Sequence, residues 1–325
     1  MQIADVRTTP RSALACSRLL ALAVILCAAV AACGRVRRPE LSPASRVTVV
    51  DLTPRFVAFY DSATARPLTA DERWILWKRL DGFAAVPPTP FGDTLARTLL
   101  DSAWARYPSA MPRIRRGATA LPASPDSLLG LVTSTLGCGA DTRIRLVTFV
   151  GGFEDNAFAF ASADGTPSIA VPVEGGDAVR SMIHEFTHAV HRSRGCANLP
   201  ADYDQTLAEL VITEGLAMRM VEHLSPGRAP TYSIIASPAW LDSSRSREAA
   251  ILTGIGQHLD ERGLAQRFTF GRGTAGVSRE AYFAGWVVVG ALLDSGVSFH
   301  TIATTPIERL SAMAEVGIRR ALNHQ

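Results

Sequence analysis

Residues 181–191 read "SMIHEFTHAVH", with His184 and His188 four positions apart and Glu185 directly after the first histidine. On a helix, residues four apart lie one turn on and about 40° around the axis from each other, so both imidazoles can reach one ion. Zinc takes nitrogen and oxygen donors in a tetrahedron, and a catalytic site keeps one position for water. A carboxylate at position 185 can take a proton from that water without being a ligand. The other side of the helix is filled by Val179, Met182, Ile183, Phe186 and Val190, so the histidines are not needed as core residues. A surface helix that leaves them in solvent is the alternative.

Three apolar, β-rich runs stand directly before this helix: "RIRLVTFVGG" at 143–152, "NAFAFASADG" at 156–165 and "PSIAVPVEGG" at 167–176. Gly, Asp and Pro turns separate them, and they predict three strands. From Asp177 the pattern is helical, over 177–194, 205–223, 247–259, 278–293 and 306–322. Towards the N-terminus, "VTVVDL" from Val47 has strand character. In "PLTADERWILWKRLDGF", Thr69 can cap a helix with Glu72 three residues on. Further helices are expected over 91–107 and 124–136, the latter with a cap-and-proline start. Residues 47–137 thus read as a mostly helical N-terminal part, and 138–325 as the part that carries the site.

A third donor is sought on the next helix, "QTLAELVITEGLAMRMVEHL" at 205–224. Glu214 shares a face with Leu207, Leu210, Val211, Ala217, Met218 and Val221, whereas Glu209 shares one with Gln205, Thr206, Ile212 and Thr213. A carboxylate aimed into a core is costly unless paired, and a metal is an obvious partner, so Glu214 is the expected ligand. An ion pair with a buried arginine such as Arg180 is the alternative. The small residues Gly215 and Ala217 would let this helix approach the histidine helix closely. His191 lies on the ligand stripe a turn beyond His188, placed for a contact behind the ligands or for the surface. His223, His258, His300 and His324 have no ligand spacing.

The chain opens with Arg7, Arg11 and Arg18, followed by an apolar run from Leu19 to Ala32 and then "RVRRPE" from Arg35. That is the layout of a signal peptide, too short for a bilayer-spanning helix of about 18 residues. Its end, "VAAC", resembles the bacterial lipobox, which makes Cys33 the expected lipidated N-terminus; an ordinary cleaved signal is the alternative. Residues 1–32 then form a lipoprotein leader and 33–46 a tether, and the protein is expected in the bacterial envelope, lipid-anchored outside the cytoplasm. Of the five cysteines, only Cys138 and Cys196 remain in the folded part. In an exported protein they predict one disulfide, which for a loop of this length contributes about 4 kcal/mol; two separate buried thiols are the alternative. The leader takes three arginines and one aspartate with it, so the 33 basic and 30 acidic residues fall to 30 and 29. No nucleic-acid-binding stripe follows from that balance.

At "HEFTH" (184–188) and "EGLA" (214–217) the sequence resembles the gluzincin metallopeptidases, above all a group of uncharacterised bacterial predicted zinc-dependent proteases. The resemblance runs from about Arg143 to about Leu293. It implies zinc bound by His184, His188 and Glu214, with Glu185 as general base. It also implies an α+β, zincin-like fold: a small, mostly antiparallel sheet packed on the HExxH helix, with helical parts on both sides. "AYFAGWVVVG" is similar to a Tyr-x-x-Gly segment late in the family, which makes Tyr282 a candidate oxyanion donor; plain packing is the alternative. Where thermolysin-like enzymes carry an aspartate four residues after the glutamate ligand, this chain has Met218, and the metzincin third histidine is replaced by Arg194. The expected function is a zinc metallopeptidase acting on peptides or proteins. A different reading is an envelope lipoprotein that uses the scaffold as a non-catalytic binding module.

Overall fold

In the computed structural model, which describes residues 45–86, 89–121, 124–162, 164–197 and 205–323, the chain enters through strand β1 (Val47–Asp51). Helices α1 (Thr53–Thr64), α2 (Ala70–Leu80), α3 (Pro90–Ala103), α4 (Tyr107–Ile114) and α5 (Pro125–Leu136) follow. Then come β2 (Ile144–Phe149), β3 (Phe158–Ala161), β4 (Pro167–Pro172) and α6 (Ala178–His191). The C-terminal part is α7 (Leu207–Leu224), α8 (Pro230–Ile234), α9 (Pro238–Arg245), α10 (Glu248–Gly256), α11 (Ala265–Thr269), α12 (Glu280–Asp294), α13 (Phe299–Ala303) and α14 (Leu310–Asn323). The leader, Cys33 and nearly all of the tether lie outside the described residues. Among those described, no helix is long and apolar enough to cross a membrane.

The sheet is mixed, in the order β1-β2-β4-β3, and here the expected antiparallel character is corrected. β1 pairs with β2 and β2 with β4 in parallel, and only β3 and β4 run antiparallel. Parallel neighbours require a crossover, and α1 to α5 supply it between β1 and β2. The strand at Val47 therefore belongs to the same sheet as the three later ones.

Side chains alternate across the sheet, as the two-residue period demands. Ile144, Leu146, Ile169 and Val171 face Met182, Ile183, Phe186 and Val190 of α6 in the main core. Val147, Phe149 and Ala170 pack on the other side with Phe83 and Phe158. α6 is thus laid along the sheet by its apolar face, as the sequence pattern requires.

Local chemistry sets several helix ends. Thr69 and Glu72 form the expected capping box, and Ser124 caps α5, which stops at Gly137 in the left-handed region (φ 63°). The helix expected over 91–107 breaks at Trp104–Arg106 into α3 and α4.

α2 ends on Asp81, a buried carboxylate whose Oδ2 has no hydrogen-bond partner among the described residues. Burial pushes its pKa from 3.8 up to about 7, against the nearby charge of Arg55 and a hydrogen bond from Trp77. The folded chain therefore binds a proton that the unfolded chain has lost. This contribution to stability is full below about pH 4 and disappears as pH rises through about 7, and it amounts to about 4 kcal/mol at most. Urea denaturation should show wild type losing stability between about pH 4 and pH 7, and Asp81→Asn losing clearly less. Equal pH slopes in the two proteins would refute this assignment.

Candidate metal centre

α6 opens at Asp177, whose carboxylate caps it by accepting from the amides of Val179 and Arg180. All residues from Ser181 to His191 are buried, which excludes the surface-helix alternative. α7 packs beside α6 and begins with a capping box of Thr206 and Glu209. These two helices bring the side chains of His184, His188 and Glu214 together.

Their donor atoms converge. His184 Nε2 and His188 Nε2 lie 3.0 Å apart, His184 Nε2 is 3.4 Å from Glu214 Oε2, and His188 Nε2 is 3.5 Å from Glu214 Oε1. Four tetrahedral donors at about 2.0–2.1 Å from an ion would be about 3.3 Å from one another, so these spacings suit one small cation. Glu214 Oε2 is buried and has no well-aligned hydrogen bond among the described residues, which fits an oxygen free to bind a cation. His184, His188 and Glu214 could therefore hold a metal ion.

The electrostatics agree. Burial alone would raise the pKa of Glu214, but the charge of His188 and hydrogen bonds from both histidines outweigh it and hold the carboxyl well below its usual range. Burial lowers the His184 pKa, yet the hydrogen bond to Glu214 and the negative charges of Glu185 and Glu214 raise it on balance. Two imidazoles and a carboxylate in this arrangement attract positive charge. Burial pushes Glu185 up, so it holds a proton more readily than an exposed glutamate.

Other expectations change. Arg180 pairs with Asp155 and leaves Glu214 to the histidines. Glu209, on the face it shares with Gln205 and Thr206, is only 3% exposed; its carboxyl turns back to accept from Thr206 N at 3.1 Å and lies 3.8 Å from Arg262. His191 is buried rather than at the surface, and burial, with the charges of His188 and Arg192, pushes its pKa down to about 3. It stands there as a neutral imidazole. Met218 lines the cavity at the site, where a carboxylate to orient a histidine would have been of use. His184 Nδ1 accordingly has no hydrogen-bond partner among the described residues.

Gly215 does allow a close approach, but to α12 instead of α6. A Cβ at 215 would stand 2.2 Å from the carbonyl oxygen of Gly285, and one at 285 would stand 2.5 Å from that of Val211. This crossing fixes Glu214, next to Gly215, relative to Tyr282 on α12. Gly215→Ala should cost about 3 kcal/mol in urea denaturation, because backbone rather than a flexible side chain must move. Gly256→Ala, whose Cβ would meet Ile318 at an ordinary 3.7 Å, should instead gain up to about 1 kcal/mol. Equal effects at the two positions would refute the close-approach argument.

Two adjoining cavities, of about 640 and 440 Å³, share His184, Glu185, Asn156, Phe270 and Tyr282, and the smaller also touches His188 and Glu214. The charge of Glu214, together with burial, pushes the Tyr282 phenol up, so it stays protonated at neutral pH. β3 is the edge strand that Phe158 and Ala159 bring to the smaller cavity. Arg279 and Phe270 also line this space, and Phe270 is 80% exposed. Sequence reasoning missed both, since nothing in their local pattern marks a side chain that comes to line a cavity shared with α6.

Cys138 and Cys196 lie at bonding distance, with Sγ atoms 2.10 Å apart, and join the approach to β2 with the turn after α6. No protein-family model, curated protein or solved structure matches the chain.

Proposed function

We propose that this protein is a zinc-dependent metallopeptidase, with His184, His188 and Glu214 as ligands and Glu185 as general base. The observation that carries the reading is the convergence of two imidazole nitrogens and one carboxylate at 3.0–3.5 Å, with Glu185 on the wall of the same cavity. Zinc bound there would act as a Lewis acid on a carbonyl and lower the pKa of water.

The chain's own groups do the rest. Glu185 accepts the proton of the attacking water and passes it to the leaving amine, a task for which burial has raised its proton affinity. Tyr282, protonated at neutral pH, donates a hydrogen bond to the oxygen that gains charge. The edge strand β3 receives an extended peptide by strand addition.

We place the protein outside the cytoplasm, held to a membrane by a lipid on Cys33. The bonding distance between Cys138 and Cys196 supports that compartment, because such bridges persist where the surroundings are oxidising. The reading is tested by metal content and by hydrolysis of a broad peptide library before and after chelation. About one zinc per chain is expected, with cleavage that chelator abolishes and added zinc restores. A zinc-loaded protein that cleaves nothing in the library would overturn the reading.

A further inference from the structure

Of the three non-glycine residues on the larger cavity's wall that have positive φ, Asp155, Ile235 and Arg279, the last two stand at the ends of α8 and α12. Ile235, just past α8, has φ 53° and ψ 59°, and Arg279, just before α12, has φ 60° and ψ 37°. For a β-branched residue this is an outlier, and it persists only where the surroundings hold it.

One side chain holds both places. Arg279 Nη1 donates to the carbonyl of Ile235 at 2.7 Å, and Nη2 to that of Ile234 at 3.1 Å. The guanidinium carbon stands 4.6 Å from the ring centroid of Tyr282 and 5.5 Å from that of Trp240. Trp240 braces the arrangement, since its Nε1 donates to Ser278 O at 2.9 Å.

α8 is fastened in turn to the helices that carry the donor atoms. Tyr232 Oη donates to Asp177, the cap of α6, at 2.7 Å, and Ser233 Oγ donates to Glu222 on α7 at 3.2 Å. An unbroken path of hydrogen bonds and ring contact thus leads from the start of the histidine helix, through α8 and Arg279, to Tyr282.

We propose that Arg279 is a positioning residue, which clamps the end of α8 to the start of α12 and lies on the Tyr282 ring to fix the phenol's place beside the metal centre. Its consequence for turnover rests on the peptidase reading; the placement of the ring does not. A planar fork that bonds two carbonyls while stacking on a ring cannot be replaced by the point charge of lysine.

The test uses the full chain with ¹³C-labelled tyrosine rings. Tyr282→Phe identifies the Tyr282 signal among the five tyrosines. Arg279→Met should move that signal more than any other, and so should Arg279→Lys, which serves if Arg279→Met does not fold. On a peptide that wild type cleaves, Tyr282→Phe should lower kcat about 100-fold with little change in KM. Arg279→Met should lower kcat at least about tenfold. The double variant should lose no more than Tyr282→Phe alone, because both changes act through one group. A Tyr282 signal unmoved in both Arg279 variants, or losses that multiply in the double variant, would overturn the proposal. If wild type cleaves no peptide, the peptidase reading fails, and the Tyr282 signal by itself decides whether Arg279 places the ring.

Discussion

Glu185→Gln should keep the zinc content of wild type and lose peptide hydrolysis by about 10³-fold or more, the upper part of the range for a general acid–base group. Glutamine is nearly the same size, and Glu185 is not one of the three converging donors, so neither packing nor metal binding has reason to change. What disappears is the proton acceptor. The carboxylate stands in a buried position next to His184, where burial raises its affinity for protons. A general base is most effective when its pKa approaches the working pH, so the environment favours this role. Measurement of kcat and KM should show the loss in kcat. A variant within about tenfold of wild type would mean that another group takes the proton.

Glu214→Ala should weaken zinc binding by at least about 100-fold, since groups that only orient a ligand already cost 10- to 100-fold. It leaves His184 Nε2 and His188 Nε2 3.0 Å apart with no carboxylate to balance an ion. Glu209→Ala is the informative contrast. Glu209 is also buried on α7, but its carboxyl is used to cap the helix, so its loss should cost about 1 kcal/mol of stability and leave zinc in place. Zinc content after exhaustive dialysis separates the two. Zinc retained in Glu214→Ala, or lost in Glu209→Ala, would reverse the ligand assignment.

These two glutamates show how periodicity can single out the residue that joins the two histidines by an incomplete path. Periodicity placed Glu214 on an apolar face and asked what could neutralise it there. In the folded chain most of α7 is buried, and the Glu209 side chain, at 4% exposed, is less accessible than that of Glu214 at 14%. Glu214 is the more open because it faces the cleft. Burial alone did not distinguish the two; capping chemistry at Thr206 did, by occupying Glu209 at the helix end.

Gly215 teaches the same lesson about contacts. Its small size announced a close neighbour, but helical periodicity says only which face is turned outward, and the partner was α12. The sheet was misjudged for a related reason. Alternation and turn residues mark strands, whereas direction depends on where the chain returns. The strand at Val47 returns to β2 only after five helices.

Local rules were sufficient wherever the cause was local. The sequence by itself determined the histidine helix and its apolar face, the capping box at Thr69 and the strands before α6. Only the tertiary structure decided that the sheet is mixed and that Arg180 belongs to Asp155. It also decided that Arg279 and Phe270 reach the cavity and that Tyr282 stands close enough to feel the charge of Glu214. Those are meetings between segments far apart in the chain. Their geometry is set by how helices and sheet pack together, which no helical or strand period encodes.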